Sequence, residues 1–455
     1  MSWLGRWMKP SFANGVHVPE WKLATEARPI RRLDFAPRLI LPLNQHIGAP
    51  SVPTVRKGQE VVRGEPVARA DGFLSLPLHA PASGVIEEIG LVAVASGLKV
   101  PGIVLKVYEA STQELLYANP RDVRALTPAE IVQAVQDTGM AGMGGAAFPT
   151  HAKLQVRADR PIDTLVANGC ECEPYLTCDY RVMLEHPEDL IAGIDLAMRA
   201  VGARRTLVGI EDNKPQAIAA LRARLPRDGR IRVEPVRTKY PQGSAELLIK
   251  ALMGCEVPAG GRSFDVGAVV QNVGTLVEIG RLLPQGAGLI ERVVTITGPG
   301  IRNPGNYTVP LGTPMRFVLE QVGFTGSYRE IILGGPMMGT AIGSLDVPVT
   351  KGVSGILAVD HVAVAQETRR AYPCIKCGKC VAACPMGLNP TQLGLLATRR
   401  EYVLMQERHY LDRCIECGCC SFSCPSNIPL VQHFRIAKAM NQEAAQRAAS
   451  AGKAA

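Results

Sequence analysis

The sequence predicts a multidomain protein in which an α/β domain is combined with β domains and a small helical domain. Three observations predict this fold class. A chain of 455 residues with 47% hydrophobic content suffices for about three or four domains. Strand and helix patterns alternate through its middle, whereas Gly and Pro separate short apolar runs on either side. Eight of the thirteen cysteines are concentrated in two runs near the C-terminus.

Composition and charge exclude several classes of protein. The formal net charge of +9 is moderate, and the basic residues are not interleaved with aromatic ones, so we expect no nucleic-acid partner. No apolar run approaches ~18 residues, so we expect no membrane-spanning segment. The N-terminus lacks the apolar core of a signal peptide, and its residues 3–9 favour either a surface-binding segment or a frayed end. So many spaced cysteines favour a reducing compartment.

Residues 1–50 form an N-terminal segment, and residues 51–110 predict a small β domain. Gly and Pro separate short apolar runs every few residues there. The phrases G-x-x-V-x-x-G and H-A-P-x-S-G-x-V resemble the biotinyl/lipoyl-like barrel-sandwich fold. A carrier domain of that fold needs a lysine at a hairpin tip, and none lies between Lys57 and Lys99. We therefore expect a structural or interaction role.

Residues 120–286 predict a Rossmann-like α/β domain with a mainly parallel sheet. A capping box at Thr127–Glu130, with Pro128 at the first helical position, begins its first helix. Strands and helices then alternate, which is the pattern of parallel β-α-β units. The expected strands are 163–169, 205–211, 230–237 and 266–271, and the expected helices are 187–202, 214–225, 244–253 and 274–283.

Three further segments complete the chain. Residues 288–350 return to short apolar runs with one helix near 314–322, which indicates a β-grasp unit similar to SLBB domains. Residues 365–436 contain the two cysteine runs. An Ala-rich tail, 437–455, closes the sequence.

The cysteine runs have the spacing of a ferredoxin-like domain with two [4Fe–4S] clusters. Each run reads C-x2-C-x2-C-x3-C-P, in which three thiolates bind one cluster and the fourth binds the other. A zinc site uses four ligands in paired C-x2-C units, and neither zinc nor a disulfide set fits this doubled spacing well. The predicted ligands are Cys374, Cys377, Cys380 and Cys424 for one cluster, and Cys414, Cys417, Cys420 and Cys384 for the other. Cys419 lies outside the spacing and is expected to be a small buried thiol.

A Gly-rich loop at 139–153 is a candidate anion site. Gly142, Gly144 and Gly145 allow backbone N–H groups to approach a ligand. A helix expected to begin near Thr150 would direct its positive end at a phosphate, and Lys153 adds a charge. The loop matches neither a Walker A motif nor G-x-G-x-x-G, and many such loops are only tight turns.

A polar stretch, 168–179, directly follows the first predicted strand of the α/β domain. Ligands of open α/β sheets bind at the carboxyl ends of strands. Asn168, Glu171 and Glu173 would lie there, where carboxylates can accept from ribose hydroxyls or from a nicotinamide amide.

The remaining cysteines do not form a recognisable site. Cys170, Cys172 and Cys178 have C-x-C-x5-C spacing, which fits neither a cluster nor a zinc template. Ordinary small residues are the favoured interpretation. Cys255 stands alone and is expected to be buried.

The chain resembles the RnfC family, a component of the Rnf ion-translocating electron-transport complex, over essentially its whole length. The matching phrases are GVHVPEWK, LNQHIGAP, LPLHAPASGV, GMGGAAFPTHAKL, NGCECEPYLTCDYRVM, YPQGSAELL, GNYTVPLGTP, GGPMMG and the two cysteine runs. The middle region is also similar to the flavoprotein of respiratory complex I. That similarity implies an FMN and NADH pocket made by Gly142, Gly144, Gly145, Phe148, Thr150, Lys153, Asn168, Glu171, Glu173, Asn272 and Thr275.

The sequence departs from these families at a few positions. The complex I flavoprotein has an acidic pair after Y-x-x-G, where Ser244 and Ala245 follow Gly243 here. It also has Asp where this chain has Cys170. These departures bear on nicotinamide contacts more than on FMN contacts. Members of the RnfC family often have Gly where Asn14 stands.

The resemblance implies an NADH:ferredoxin-type oxidoreductase subunit of an ion-translocating complex. NAD(H) exchanges two electrons as a hydride and each cluster exchanges one, so a noncovalent FMN would connect them. No side chain need act as a nucleophile. The implied partners are the other subunits of the complex, NAD(H) and, indirectly, ferredoxin. The implied location is peripheral, on the cytoplasmic face of the bacterial inner membrane.

Two alternatives remain open at the level of sequence. A corrinoid-reductase-like protein shares the flavin and cluster parts, but it would begin at the Gly-rich loop and not after about 135 preceding residues. A non-catalytic electron-wire subunit would carry clusters and leave its flavin pocket empty.

Overall fold

A computed structural model of the chain describes residues 9–157, 159–326, 330–359 and 370–454, with side chains up to residue 448. The predicted surface-binding or frayed residues before Lys9 lie outside these ranges. None of the described helices is both long and apolar enough to cross a membrane.

The first unit consists of two small antiparallel sheets, in the orders β2-β8-β7-β4 and β3-β5-β6, as expected for a barrel sandwich. A bulge between Ile86 and Glu88 bends β7. Its first sheet includes a strand from the N-terminal segment. Its strands are β2 Arg38–Pro42, β3 Val52–Pro53, β4 Glu60–Val61, β5 Pro66–Arg69, β6 Leu78–His79, β7 Gly84–Ala93 and β8 Lys99–Val107, and the preceding strand, β1 Arg31–Arg32, belongs to the third unit.

The second unit is the predicted α/β domain, and its four strands are all parallel, in the order β11-β10-β9-β12. The predicted capping box forms, since Thr127 N donates to Glu130 Oε2 at 2.8 Å. The elements are α1 Pro128–Asp137, α2 Thr150–Leu154, β9 Thr164–Gly169, α3 Cys178–Glu185, α4 Pro187–Val201, β10 Arg205–Glu211, α5 Pro215–Arg222, β11 Ile231–Val236, α6 Ala245–Met253, β12 Ala268–Asn272 and α7 Val273–Gln285, with a 3-10 turn at Ser263–Val266 before β12.

The third unit is a mixed six-stranded sheet, in the order β1-β14-β13-β17-β15-β16, with one helix. β1 lies parallel to β14 at the sheet edge, so this sheet extends beyond the expected bounds of 288–350 at both ends. The elements are β13 Glu291–Thr297, β14 Gly305–Pro310, α8 Met315–Gln321, β15 Glu330–Leu333, β16 Thr340–Ile342 and β17 Gly355–Val359.

The fourth unit, residues 370–454, is helical and packs around a small core that includes Leu393, Met405, Leu411 and Phe434. The residues expected to form a tail after 436 continue its last helix. The helices are α9 Lys379–Ala383, α10 Pro390–Thr398, α11 Tyr402–Glu407, α12 Cys419–Phe422 and α13 Leu430–Ala454, with a 3-10 turn at Leu411–Arg413.

Candidate functional site

Two predicted site residues meet at the carboxyl ends of neighbouring parallel strands. Asn168 on β9 and Asn272 on β12 are register partners. The chain leaves β9 toward β10 on one side, while β12 lies on the other. This sheet edge is therefore a topological switch point, which is where ligand crevices open in α/β folds. Asn168 holds the crevice wall by donating from Nδ2 to Gly243 O at 2.8 Å.

The Gly-rich loop lies against the N-terminal end of α7. Met143 N donates to Thr275 Oγ1 at 2.9 Å, and Asn272 Oδ1 caps the helix by accepting from Thr275 N at 3.2 Å. A Cβ on Gly144 would lie 3.3 Å from Asn272 Cβ, whereas a Cβ on Gly145, which has φ +104°, would have no atom within 4 Å. The loop therefore presents bare, exposed backbone beside the crevice.

The last part of the Gly-rich loop provides a weaker positive potential for an anion than the sequence indicates. Gly142 N donates to Phe148 O at 2.8 Å, which closes the loop. The helix begins at Thr150 as predicted, but it has only five residues, so its dipole is small. Among the described residues, the buried Thr150 hydroxyl has no hydrogen-bond partner. Lys153 is half-buried, and this burial lowers the pKa of its amine.

Glu171 is buried and caps α3. Its Oε1 accepts from Asp179 N at 2.8 Å and from Cys178 Sγ at 3.4 Å, and its Oε2 accepts from Tyr180 N at 3.3 Å. A carboxylate at a helix N-terminus is stabilised by the unpaired N–H groups there. Most of the acceptor capacity of Glu171 is thus used within the chain.

Asp179 links this cap to the crevice, and the sequence analysis assigned it no role. Its Oδ2 accepts from Asn272 Nδ2 at 2.7 Å. Burial, together with the charge of Glu171, raises the pKa of Asp179 to about 7. The only sequence signal was its position at the end of the NGCECEPYLTCD phrase.

Glu173 is bound by a loop of the third unit. Its carboxylate accepts from Met337 N at 3.0 Å and from Met338 N at 2.8 Å. A Cβ on Gly335 would lie 2.2 Å from Glu173 Oε2, so the GGPMMG loop needs glycine to approach this closely. Burial raises the pKa of Glu173. The structure thus places the Glu173 carboxylate against the third unit, whereas Asn168, Asn272 and Thr275 lie together at the carboxyl ends of β9 and β12.

Lys22 fixes the backbone of the 168–179 stretch from the N-terminal segment. Its buried Nζ donates to the carbonyls of Glu171 at 2.7 Å, Glu173 at 3.0 Å and Leu176 at 2.5 Å. Burial lowers the pKa of this amine. Sequence reasoning missed Lys22 because its partner Glu171 lies 149 positions away, and its only signal was the GVHVPEWK phrase.

The structure groups the eight predicted cluster ligands around two cavities, in the sets that the spacing predicts. We define the inner site by Cys384, Cys414, Cys417 and Cys420, and the outer site by Cys374, Cys377, Cys380 and Cys424. Within the described ranges, no three His, Cys, Asp or Glu side chains are placed to hold a single metal ion.

The inner site lies against the α/β unit. Tyr240 Oη donates to Cys417 O at 2.8 Å and lies 3.4 Å from Glu173 Oε1. Cys172 and Tyr240 pack in one cluster with Cys417 and Cys419. Cys384, Cys417 and Cys420 of the inner site are buried, whereas Cys374 and Cys377 of the outer site are exposed. The rest of the chain therefore covers the inner site, and the outer site opens to the surface.

The cysteines outside the two sites are mostly buried. Cys419 is fully buried, as expected, and Cys170 and Cys178 are buried too. Burial raises the pKa of the Cys170 and Cys178 thiols. The expectation that Cys255 is buried is wrong, because it follows the left-handed Gly254 that ends α6 and is only partly covered.

Four family models match successive parts of the chain. Their descriptions agree with the four units and show which cofactor domains the chain contains. They are the RnfC Barrel sandwich hybrid domain at 10–109, the Nuo51 FMN-binding domain at 135–281, the SLBB domain at 293–341 and the 4Fe-4S dicluster domain at 373–428.

Similar proteins match nearly all of the chain. A Clostridium ljungdahlii protein, named as the C component of a proton-translocating ferredoxin:NAD(+) oxidoreductase complex, is 41% identical over 97% of this chain and 96% of its own length. Two proteins named as the C component of an ion-translocating oxidoreductase complex are also 41% identical. The one from Haemophilus influenzae is matched over 94% of this chain and 64% of its own length, and the one from Pseudomonas aeruginosa over 96% and 56%. The chain thus spans only part of the length of the latter two.

Proposed function

Because the chain belongs to the RnfC family of ion-translocating oxidoreductase complexes, we propose that it is the subunit that exchanges electrons with NAD(H). It contains an FMN-binding domain and a domain for two [4Fe–4S] clusters. When bound, FMN exchanges two electrons with NAD(H) and single electrons with clusters. The enzyme would then be an oxidoreductase that connects NAD(H) with one-electron carriers.

One observation carries this proposal: the crevice wall and the inner site are in direct contact. Tyr240 follows β11 of the α/β unit and donates to the carbonyl of the inner ligand Cys417. Cys172, which lies between Glu171 and Glu173 in the sequence, packs in one cluster with Tyr240 and Cys417. The inner site is therefore assigned to the flavin side, and the exposed outer site to the partner side.

The residues of the crevice fit a phosphate-bearing planar cofactor. The exposed backbone at Gly144 and Gly145 leaves room that a side chain would fill, and Gly142 and Phe148 close that loop. Lys153 would supply positive charge to a phosphate. Asn168 and Asn272 each use one amide N–H within the chain and keep a second for a ligand.

The other polar residues of the proposed pocket act by positioning. Glu171 holds the start of α3, Glu173 holds the GGPMMG loop, and Thr275 holds the Gly-rich loop. Thr150 anchors the far end of that loop, because its N–H donates to Met140 O at 3.0 Å. We therefore expect substitution of these residues to weaken FMN binding because the pocket would lose its shape.

The proposed setting is a peripheral subunit on the cytoplasmic face of a bacterial membrane. Membership in an ion-translocating complex supports a membrane association, and the Clostridium relative's name mentions ferredoxin and NAD(+). The chain's many free thiols suit a reducing compartment. The partners would be the other subunits of the complex and NAD(H), with ferredoxin reached indirectly.

The two alternatives have less support. A corrinoid-reductase-like role is disfavoured by membership in the RnfC family, whose barrel-sandwich model matches residues 10–109 ahead of the flavin domain. An electron wire without flavin is disfavoured by the match to an FMN-binding domain.

The deciding experiment is anaerobic purification of the chain, followed by assays of iron, sulfide and acid-released FMN. We expect about eight irons for two [4Fe–4S] clusters, one noncovalent FMN, and bleaching of the flavin band on addition of NADH. A protein with its full iron that binds no FMN when FMN is supplied would be an electron wire, and the proposal would be wrong.

A further inference from the structure

The surface around the outer site is strongly cationic. Residues 370–400 contain no Asp or Glu, and we name the exposed residues of this segment beside the outer site the outer face. The five cations of this segment give it a charge of +5, more than half of the formal net charge of +9. All five are exposed, and they are Arg370, Lys376, Lys379, Arg399 and Arg400. Among the described residues, none of Lys376, Lys379 and Arg399 forms an ion pair.

Apolar side chains lie within this cationic region. Tyr372, Ile375 and Leu395 line the outer cavity and are 55%, 67% and 44% exposed. Large exposed apolar side chains ringed by charge mark interaction surfaces rather than ordinary solvated surface. The cluster ligands Cys374 and Cys377 are exposed in the same region, so a bound partner would lie directly over the outer site.

We propose that the outer face is the docking surface for an acidic electron-carrier protein or protein domain. This inference rests on the proposed function, in which the outer site faces the partner. Carboxylates of the carrier would pair with the cations, and its apolar residues would contact Tyr372 and Ile375. One electron crosses, so that the outer site is oxidised and the carrier reduced, or the reverse, and no atom is transferred.

Other occupants of the outer face fit less well. An anionic membrane would attract the cations, but a lipid surface could accept no electron from a cluster held by the exposed Cys374 and Cys377. A second copy of the chain would oppose the same cations, and like charges facing each other are unfavourable. An acidic protein carrier satisfies both the charge and the electron-transfer requirement.

The test uses the full chain with its clusters loaded. A plant-type [2Fe–2S] ferredoxin of net negative charge serves as the probe for an acidic carrier. It is reduced beforehand and mixed with the oxidised protein in a stopped-flow instrument, and cluster bleaching is followed at several salt concentrations. The outer-face variant is Lys379→Glu with Arg399→Glu. The matched control is Lys57→Glu with Lys99→Glu, which makes the same charge change at exposed positions of the barrel-sandwich unit. Iron content and the EPR signals are measured for each protein.

We expect the wild-type and control rates to fall steeply with salt, because electrostatic steering accelerates association by about tenfold or more and is screened by ions. The outer-face variant should react about tenfold more slowly at low salt and lose most of its salt dependence. Equal rates in the outer-face variant and the control would overturn the proposal.

A membrane role gives a different result. Sedimentation with vesicles that contain equal amounts of phosphatidylglycerol and phosphatidylcholine measures binding of each protein to an anionic membrane. If the outer-face variant loses vesicle binding while its reaction with ferredoxin is unchanged, the face binds lipid and the proposal is wrong. The ferredoxin assay needs neither NADH nor FMN. Its failure is therefore distinct from a failure of NADH to bleach the flavin, which would contradict the proposed function instead.

Discussion

Lys351 is a buried amine that ties three parts of the chain together. Its Nζ donates to Pro77 O at 3.0 Å and to Gly139 O at 2.7 Å, and its backbone N–H donates to Gln45 Oε1 at 3.2 Å. Gly139 begins the segment that leads into the Gly-rich loop, so this residue fixes the start of the loop against the first unit. Burial lowers the pKa of the amine to about 7.

Lys351→Met should flatten the pH dependence of stability. The folded-state pKa of about 7 lies below the ordinary value of 10.5, so between these pH values the unfolded state binds more protons. The free energy of unfolding should therefore rise with pH across this window, by up to about 1.4 kcal/mol per unit. Urea unfolding across the window measures it, with the exposed Lys99→Met as control. An unchanged slope in Lys351→Met would contradict this role.

Glu171→Ala should destabilise the crevice without removing clusters. Loss of the cap leaves Asp179 N and Tyr180 N unpaired, at a cost on the order of 1–2 kcal/mol. FMN affinity and NADH–acceptor activity should fall, while the cluster EPR signals remain. Glu130→Ala is the matched control, because it removes a similar cap from α1, where Glu130 Oε2 accepts from Thr127 N at 2.8 Å. The assignment fails if FMN binds equally well to both variants.

Residue-level contacts of this kind explain where sequence reasoning stopped. The sequence predicted Asn168 from its position directly after a strand, and it predicted Asn272 and Thr275 from the resemblance to the complex I flavoprotein. Lys22 and Lys351 were not predicted, because their partners are backbone carbonyls in other units. Every residue has a backbone carbonyl, so the sequence around a lysine does not indicate which carbonyl its amine will contact.

At the level of elements, the Gly-rich loop and the N-terminus of α7 form one structural piece. The loop approaches α7 through Met143 and Thr275, and Gly145 adopts φ +104°, a region that a β-carbon disfavours. The loop therefore needs a close approach to Asn272 at Gly144 and a positive φ at the adjacent Gly145.

Gly145→Ala should weaken FMN binding about tenfold, or ~1.4 kcal/mol, because the added methyl would project beside the exposed loop backbone. The strain of an alanine at positive φ should also cost about 1 kcal/mol of stability. Gly72→Ala is the control, since Gly72 has φ +83° and nothing within 4 Å of a Cβ, but lies in the first unit. Fluorescence titration with FMN and thermal unfolding separate the two effects. Equal FMN affinity in both variants would show that the loop does not contact the cofactor.

The elements of the α/β domain were predictable because their signals are local. The expected strand at 205–211 coincides with β10, and the helix expected at 187–202 ends where Gly202 adopts φ +69°. β1 was not predictable. It has only two residues, and it pairs with Tyr307 and Thr308 far along the chain. Nothing periodic in so short a segment distinguishes it from a loop.

At the scale of the whole molecule, the helical cluster unit is attached to the N-terminal segment and to the third unit as well as to the α/β unit. Asn14 Nδ2 donates to Cys384 O at 3.1 Å, and Arg435 Nη2 donates to Met338 O at 3.1 Å. Asn14 has φ +61°, a left-handed backbone conformation that glycine and asparagine adopt more readily than other residues. The cysteine spacing indicated which ligands group together. It could not indicate which site lies against the other units, because that depends on contacts with Tyr240 and Met337.

Cys377→Ala and Cys420→Ala should have different consequences. Cys377→Ala should remove the outer cluster and destabilise the helical unit alone. Cys420→Ala should remove the inner cluster and also loosen the contact with Tyr240. EPR reports which cluster is lost, and hydrogen exchange of the Tyr240 peptide reports the contact, with faster exchange expected only in Cys420→Ala. Similar exchange in both variants would contradict the assignment of the inner site to the flavin side.

The crossed use of the two cysteine runs constrains how the protein matures. The inner site takes Cys384 from the first run, and the outer site takes Cys424 from the second. A nascent chain that ends before Cys414 offers three thiolates to the outer site and one to the inner site, so neither site has its four predicted ligands. The complete ligand sets of both predicted clusters therefore require translation through Cys424. A premature stop shortly before Cys424 would leave the outer site without its fourth ligand, although its other three ligands were translated much earlier.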